Sequence, residues 1–360
     1  MKVLVALSGG VDSSVVAARM VAAGHDVTAA HMSLMKDSVS LARAELKRGC
    51  GSPRDAEDAA ALCERLGIPF EVWNLAEVFE QRVVEDFIAQ YGAGLTPNPC
   101  VRCNQLLKFH ELVNRALEAG FDAVATGHYA RSSGGVLRRA AFRAKDQSYV
   151  LASTGPGIVS RAFFPLGDVA SKDAVREEAR GLGLSVADKA ESFDVCFIPD
   201  GDTKGFLARR LGERPGEVVD ERGVVVGEHG GVFGFTIGQR KGLGTVGPAA
   251  DGEPRYVREI DAKSNTVFIA PRPALAVRKI FTSTPVWWGE GDTVVPETVL
   301  EDVEVQFRAH GKPIEATVTI SPQGMEAVLK DPALGIAPGQ SLVVYKADQV
   351  LSQATITGTN

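Results

Sequence analysis

Residues 3–16 read Val3-Leu4-Val5-Ala6-Leu7-Ser8-Gly9-Gly10-Val11-Asp12-Ser13-Ser14-Val15-Val16, an apolar run, a glycine-rich turn and an apolar helical start. A strand, a phosphate-sized loop and a helix in this order are the opening unit of a nucleotide-binding α/β fold. Two adjacent glycines let backbone N–H groups approach an anion, and the helix N-terminus adds unpaired donors and a partial positive charge. Ser8, Ser13 and Ser14 bring hydroxyls beside them, and Asp12 suits a magnesium ion carried by a nucleotide. The loop lacks the Gly-Lys-Ser/Thr ending that holds a terminal phosphate for transfer, which argues against a kinase or motor. Small residues also suit a plain tight turn, but an acid among three hydroxyls argues against that reading.

Outward from this loop, short apolar runs at 3–7, 27–31, 70–74 and 123–126 alternate with amphipathic stretches at 54–66, 77–90 and 105–119. The alternation predicts a doubly wound parallel sheet with helices on both faces, and places a ligand at the carboxyl ends of its strands. From about residue 200 the texture changes to alternating Val, Thr and Ile with frequent Gly and Pro, as at 217–228, 256–270, 301–307 and 316–320. That pattern predicts antiparallel sheet, a small β-rich central domain followed by a C-terminal β-barrel, with a boundary near Ala270-Pro271-Arg272-Pro273. The expected domains are 1–199, 200–272 and 273–360.

The chain has 360 residues, 45% of them hydrophobic, and a net charge of −6. It has length for two or three cores, and no global attraction to nucleic acid, so a polyanion would be met by local basic groupings such as Arg240-Lys241. No apolar run approaches a bilayer span and the N-terminal run is too short for a signal peptide, so a cytoplasmic protein without membrane contact is expected. Five cysteines in this length do not form a disulfide framework. Cys63 reads as packing and Cys50 as an incidental loop thiol. Pro97-Asn98-Pro99-Cys100-Val101-Arg102-Cys103 is different: prolines stiffen the chain before a Cys-x-x-Cys that opens a helix, where a thiolate is favoured. The same spacing serves redox dithiols and zinc or iron–sulfur sites. Cys196, in Val195-Cys196-Phe197-Ile198, reads alone as a core residue.

The first loop resembles the pyrophosphate-binding loop of enzymes that split ATP between its α and β phosphates. With it, residues 96–104, Ala125-Thr126-Gly127-His128-Tyr129, Lys145-Asp146-Gln147-Ser148-Tyr149, Cys196-Phe197-Ile198, the Gly238-Gln239-Arg240-Lys241-Gly242-Leu243-Gly244 loop and Pro338-Gly339-Gln340-Ser341 together resemble the bacterial tRNA-specific 2-thiouridylases over nearly the whole chain. The resemblance implies ATP with Mg2+ at Ala6, Leu7, Ser8, Gly9, Gly10, Val11, Asp12, Ser13, Met32 and Gly127, with Met32 against adenine. It implies a target base at Asn98, Pro99 and Cys100, the nucleophile at Cys103 and the persulfide carrier at Cys196. It implies tRNA contacts at His128, Lys145, Asp146, Gln147, Arg308 and Gln340, and a cysteine desulfurase or sulfur-relay protein as partner. Position 100 is often aspartate in that family, which leaves a general base there in doubt. With cysteine here, Cys100, Cys103 and Cys196 offer the ligands of a [4Fe–4S] cluster as a second reading. Two rival readings remain: another adenylating enzyme acting on a small molecule, and an RNA-binding sulfur carrier with a structural metal.

Overall fold

In a computed structural model, the structure describes residues 1–34, 53–189, 195–198, 200–247, 249, 251–289 and 297–360. Cys50 lies outside them. The chain divides into two compact units, Met1–Val84 with Pro99–Gly201 and Asp348–Val350, and Glu85–Asn98 with Asp202–Ala347 and Leu351–Asn360.

The first unit is built on β1 (Lys2–Ala6), α1 (Val11–Ala22), β2 (Asp26–Ser33), α2 (Pro53–Leu66) and β3 (Phe70–Asn74). A helical stretch, α3 (Pro99–Cys103), continues as π-wound turns over Asn104–Glu111 and an α-helix over Leu112–Glu118, then leads into β4 (Ala123–Ala125). A hairpin of β5 (Ala130–Ser133) and β6 (Val136–Arg139) precedes β7 (Ala162–Phe163) and α4 (Lys172–Gly181). The five main strands are all parallel, in the order β3-β2-β1-β4-β7. β1 is buried on both faces from Val3 to Ala6, which is why it reads as an unbroken apolar run. Strand order reverses between β1 and β4, so the loops leaving them diverge to open a crevice at their carboxyl ends.

Helix α1 buries Val15, Val16, Ala17 and Met20 against the sheet, in one core with Leu62, Cys63 and Val175. Arg19 ties α1 to α4, its Nε and Nη2 donating to the two Glu178 oxygens at 2.9 and 2.6 Å and its Nη1 to the Pro165 carbonyl at 2.6 Å. Asp348 accepts from Arg131 Nη2 and Arg138 Nη1, each at 2.7 Å, beside the pairing of Gln349 with Arg138. The strand β7, the hairpin and α4 are additions to the elements read from sequence.

The second unit contains α5 (Thr203–Leu211) and holds two sheets. The first has the order β10-β11-β8-β9, from β8 (Gly216–Val219), β9 (Val225–His229), β10 (Arg255–Asp261) and β11 (Thr266–Pro271), over a core of Val218, Phe235, Val257 and Ile269. The expectation of antiparallel pairing fails at one place: β8 and β11 run parallel, Val218 opposite Val267. Two hairpins meet by their inner strands here, and nothing in alternation sets the direction of strands from different hairpins. The second sheet closes on itself as a six-stranded barrel. Its strands are β12 (Ala276–Thr282), β14 (Thr298–Gln306), β15 (Ile314–Ser321), β16 (Gly324–Leu334), β17 (Ser341–Lys346) and β18 (Gln349–Thr359), with the short β13 (Val286–Trp287) paired to β18. The pairing of Ile280 with Thr359 closes it. Inward residues such as Val303, Val305, Val318, Ile320 and Leu329 alternate with exposed ones, as the period-two pattern predicts.

Candidate active site

The loop after β1 turns at Gly9, with φ of +72°, and Gly10 then stands at the N-cap of α1 in extended conformation. A Cβ on Gly9 would lie 2.3 Å from the Asp55 carbonyl oxygen, so only glycine lets the loop pass α2. No side chain caps α1. Its first N–H groups therefore face the crevice as donors for an anion. The serines behave differently from a simple set of ligand donors. Ser14 is buried and donates to the Gly10 carbonyl at 2.9 Å, while Ser13 Oγ accepts from Ser8 N and donates to Gly10 O, each at 3.1 Å. These two hydroxyls close the loop on itself.

The loop after β4 completes the crevice. Gly127 is glycine because a Cβ there would come 3.0 Å from Ser13 N and 3.1 Å from Asp12 Cβ. Tyr129 donates its hydroxyl to Asp12 Oδ1 at 2.7 Å. The Thr126 hydroxyl and His128 Nδ1 share a hydrogen bond of 2.9 Å, and the imidazole packs against Phe109 and Phe164. Burial, with Lys108 nearby, pushes the His128 pKa down to about 3, so the ring is neutral at physiological pH.

A cavity of about 330 Å³ lies between the two loops, lined by Ala6, Ser8, Gly10, Val11, Asp12, Ser13, Met32, Gly127, His128, Lys145 and Gln147. Leu7 is buried beneath it, its carbonyl accepting from His31 Nδ1 at 2.9 Å, and Gly9 serves as the turn. Six further lining residues carried no nucleotide or tRNA assignment from sequence: Asp55, Lys108, Thr126, Tyr129, Lys172 and Lys189. Lys189 Nζ donates to the Gly9 carbonyl at 2.9 Å, to Asp55 at 2.7 Å and to Asp58 at 2.6 Å. Burial would lower the Lys189 pKa, but the two carboxylates outweigh it and the pKa lies above the usual value. Lys172 Nζ sits 2.6 Å from both Asp12 oxygens. Asp12 is thus paired within the protein, at a place where it could also meet a nucleotide's magnesium. No local sequence signal joins these partners; the fold does.

Of the residues assigned to tRNA, Gln147 and Asp146 carry structural bonds. Gln147 Oε1 accepts from Tyr129 N at 2.9 Å. Asp146, its side chain 6% exposed, accepts from Ala140 N, Ser148 N, Ser148 Oγ and Arg139 Nη1. In the second unit, Gln340 Nε2 donates to the Thr96 carbonyl at 2.6 Å, and the exposed Arg308 donates through Nη2 to Gly335 O at 2.5 Å. Half-buried Asn98 and Pro99 lead into α3, where Cys100 is exposed and Cys103 is buried. Cys196 is half-buried, and none of the described cysteines forms a disulfide. Among the described residues no three His, Cys, Asp or Glu side chains are gathered to hold a metal ion. Cys100, Cys103 and Cys196 are thus not gathered as a metal site among the described residues.

A glycine turn with uncapped helix donors, set at the switch point of a parallel sheet, defines a nucleotide-binding α/β protein of the pyrophosphate-loop class. Family models agree in their extents: "tRNA methyl transferase HUP domain" matches residues 1–200, "tRNA methyl transferase PRC-barrel domain" 204–271 and "Aminomethyltransferase beta-barrel domain" 277–356. The tRNA-specific 2-thiouridylase MnmA of Mycolicibacterium gilvum (strain PYR-GCK) is 52% identical over 364 residues, 100% of each chain. That of Beutenbergia cavernae is 50% identical over 372 residues, covering 100% of this chain and 95% of the relative. The chain belongs to the tRNA-specific 2-thiouridylase family. Among solved structures, the NH3-dependent NAD synthetase from Campylobacter jejuni is similar over 58% of this chain and 74% of its own, at 19% identity and a TM-score of 0.32. No helix among the described residues is long and apolar enough to cross a membrane.

Proposed function

We propose that this chain converts the wobble uridine of tRNA to 2-thiouridine at the expense of ATP. The observation that carries the reading is identity of about half over the whole length to relatives named for that activity. The loop geometry supports its first step. The uridine C2 oxygen attacks the α-phosphate of ATP, forming an O-adenylated base and releasing pyrophosphate. The uncapped donors of α1 face the charge that develops on the departing group. Met32 lies against the adenine, and Asp12 fits the magnesium that the nucleotide brings.

Sulfur then arrives on Cys196 as a persulfide, loaded by a cysteine desulfurase directly or through a relay protein. Its terminal sulfur attacks C2 and AMP leaves, so the base is joined to Cys196 through a disulfide. Cys103 attacks the Cys196 sulfur, which releases 2-thiouridine and leaves a Cys103–Cys196 disulfide for an external reductant. Asn98, Pro99 and Cys100 hold the flipped base, and Lys145, His128, Arg308 and Gln340 meet the RNA. Residues 1–199, 200–272 and 273–360 act as catalytic domain, tRNA-contacting domain and barrel of a cytoplasmic enzyme. Methyl transfer, which two of the family-model descriptions mention, has no use for a loop built to receive pyrophosphate.

The test is nucleoside mass spectrometry on unmodified tRNA incubated with the protein, Mg-ATP, reductant, cysteine and a desulfurase. We expect 2-thiouridine with the natural chain and none with Cys103→Ser or Cys196→Ser, while tRNA-dependent pyrophosphate release persists in both variants. Turnover of a small carbonyl compound without response to tRNA would replace this reading with a small-molecule synthetase.

A further inference from the structure

The four residues that lead into the thiols of α3 all have a restricted backbone. Thr96 and Asn98 each precede a proline, which biases them to extended backbone, and the rings of Pro97 and Pro99 fix their own φ. The segment is therefore a stiff arm, and the direction it takes at Thr96 carries through to Cys100. The chain leaves the second unit for the first between Asn98 and Pro99, so the root of the arm belongs to the second unit.

Within that unit the root is held on both sides of one residue. Thr96 is buried; its N–H donates to the Pro338 carbonyl at 2.8 Å, and its carbonyl accepts from Gln340 Nε2 at 2.6 Å. The turn that supplies both partners lies close against it. Gly339 has a φ of +93°, and a Cβ there would come 3.0 Å from Thr96 N and 3.1 Å from the Thr96 carbonyl carbon and Leu95 Cβ. The turn is itself fastened to β18, where Gly339 N donates to Ile356 O at 2.9 Å and Ile356 N to Gln340 O at 2.8 Å. On the other side Leu95 N donates to Gln90 O at 2.9 Å, closing the helix Glu85–Gly92 that precedes the arm. At the far end the Cys100 carbonyl accepts from Asn104 Nδ2 at 2.8 Å.

We propose that Gln340 is a positioning residue for the thiolation: with Gly339 it makes a clamp on Thr96 that aims the Asn98–Cys100 segment and α3, a task separate from RNA contact by the same side chain. The proposal rests on the reading of Asn98, Pro99 and Cys100 as the base site. Thr96 and Cys100 are separated by at most about 13–14 Å of extended chain, so a tilt of about 5° at the root moves the far end by roughly 1 Å. A misplacement of that size at reacting groups costs on the order of a hundredfold in rate. The barrel thus sets the aim of the base site before RNA arrives.

The experiment compares the natural chain with Gln340→Glu, which keeps the side-chain shape but turns the donor into an acceptor, and with Gly339→Ala, which presses on Thr96 and takes no side chain away from RNA. Iodoacetamide labelling of the full chain without RNA or ATP, read by peptide mass spectrometry, follows exposed Cys100, buried Cys103 and Cys63, which is buried in the core shared with α1. Steady-state thiolation of tRNA gives kcat and KM. In both variants Cys103 labelling should rise about fivefold to tenfold, the loss of one hydrogen bond, while Cys63 keeps its natural rate. The kcat should fall on the order of tenfold to a hundredfold in both. In Gly339→Ala the KM for tRNA should stay within about twofold. Cys63 rising in step with Cys103 would mean a general loosening of the fold. A Gln340→Glu chain with a raised KM but natural kcat and natural Cys103 labelling would leave RNA contact as its whole role. Either result overturns the proposal. Thermal melts report folding, and the two variants disturb the clamp independently, so where one unfolds the other decides. If the natural chain forms no 2-thiouridine, the base-site reading fails, whereas the labelling, which needs neither RNA nor ATP, still reports whether the clamp fixes α3.

Discussion

Replacing Gly9 by alanine tests the central claim that the phosphate loop keeps its shape by passing tightly against α2. The added Cβ would lie 2.3 Å from the Asp55 carbonyl oxygen and 2.8 Å from its carbon and Cα. Ordinary contact needs about an ångström more, and the atoms in the way are backbone, so either the loop or the start of α2 must move. The left-handed φ of +72° adds about 1–2 kcal/mol for a residue with a Cβ. Overpacking of this kind costs a further 1–3 kcal/mol or so. A total near 3 kcal/mol corresponds to a fall in melting temperature of roughly 6–12 °C for a domain of this size. The same shift would carry the Gly9 carbonyl away from Lys189 and misplace the α1 donors, weakening nucleotide binding on the order of a hundredfold. Gly10→Ala is the internal control: that residue is extended, with φ of −99°, and its Cβ would meet only Ser8 Oγ at 3.5 Å. Its stability should stay within about 1 kcal/mol of the natural chain. Differential scanning calorimetry and nucleotide titration measure both quantities. A Gly9→Ala chain that melts and binds like the natural one, or a Gly10→Ala chain equally destabilised, would show that the loop is not confined as described.

Two further outcomes follow from buried polar groups. Because the folded pKa of His128 is about 3 against an ordinary value near 6.5, the unfolded chain takes up a proton between those limits that the folded chain refuses. The neutral ring therefore costs nothing above pH 6.5, and stability falls as pH drops below it, by about 2 kcal/mol at pH 5. Denaturation curves of His128→Asn should lack that share of the slope, and an NMR titration of His128 with a midpoint near 6.5 would refute the assignment. Asp146→Ala removes the acceptor for Ala140 N, Ser148 N, Ser148 Oγ and Arg139 and should destabilise by about 3–5 kcal/mol. An Asp146→Ala chain of natural stability that has lost tRNA binding would instead make this carboxylate an RNA contact.

The thiols show how far local reading reaches. The helix that begins at Pro99 and carries Cys100 and Cys103 is legible because proline before a helical start and apolar periodicity after it are local signals. That one of these thiols faces solvent and the other the interior depends on what the helix packs against. The iron–sulfur reading came with the resemblance and drew in the distant Cys196, and among the described residues these thiols are not gathered as a metal site.

Sequence alone determined the phosphate loop, the strands before and after it and the change of texture near residue 200. Those features depend on interactions within one turn or one strand: a glycine's φ, an alternation of faces, an uncapped helix start. Tertiary structure alone decided which charges meet at that loop. Tyr129, Lys172 and Lys189 reach it across 117, 160 and 180 residues of chain, and Gly127 is required only because another loop's backbone passes beside it. Such contacts leave no periodic trace, because each is set by where a whole strand or helix comes to rest. Closure of the barrel and the parallel pairing of β8 with β11 are of the same kind: the strands announce themselves, and their partners are chosen by packing.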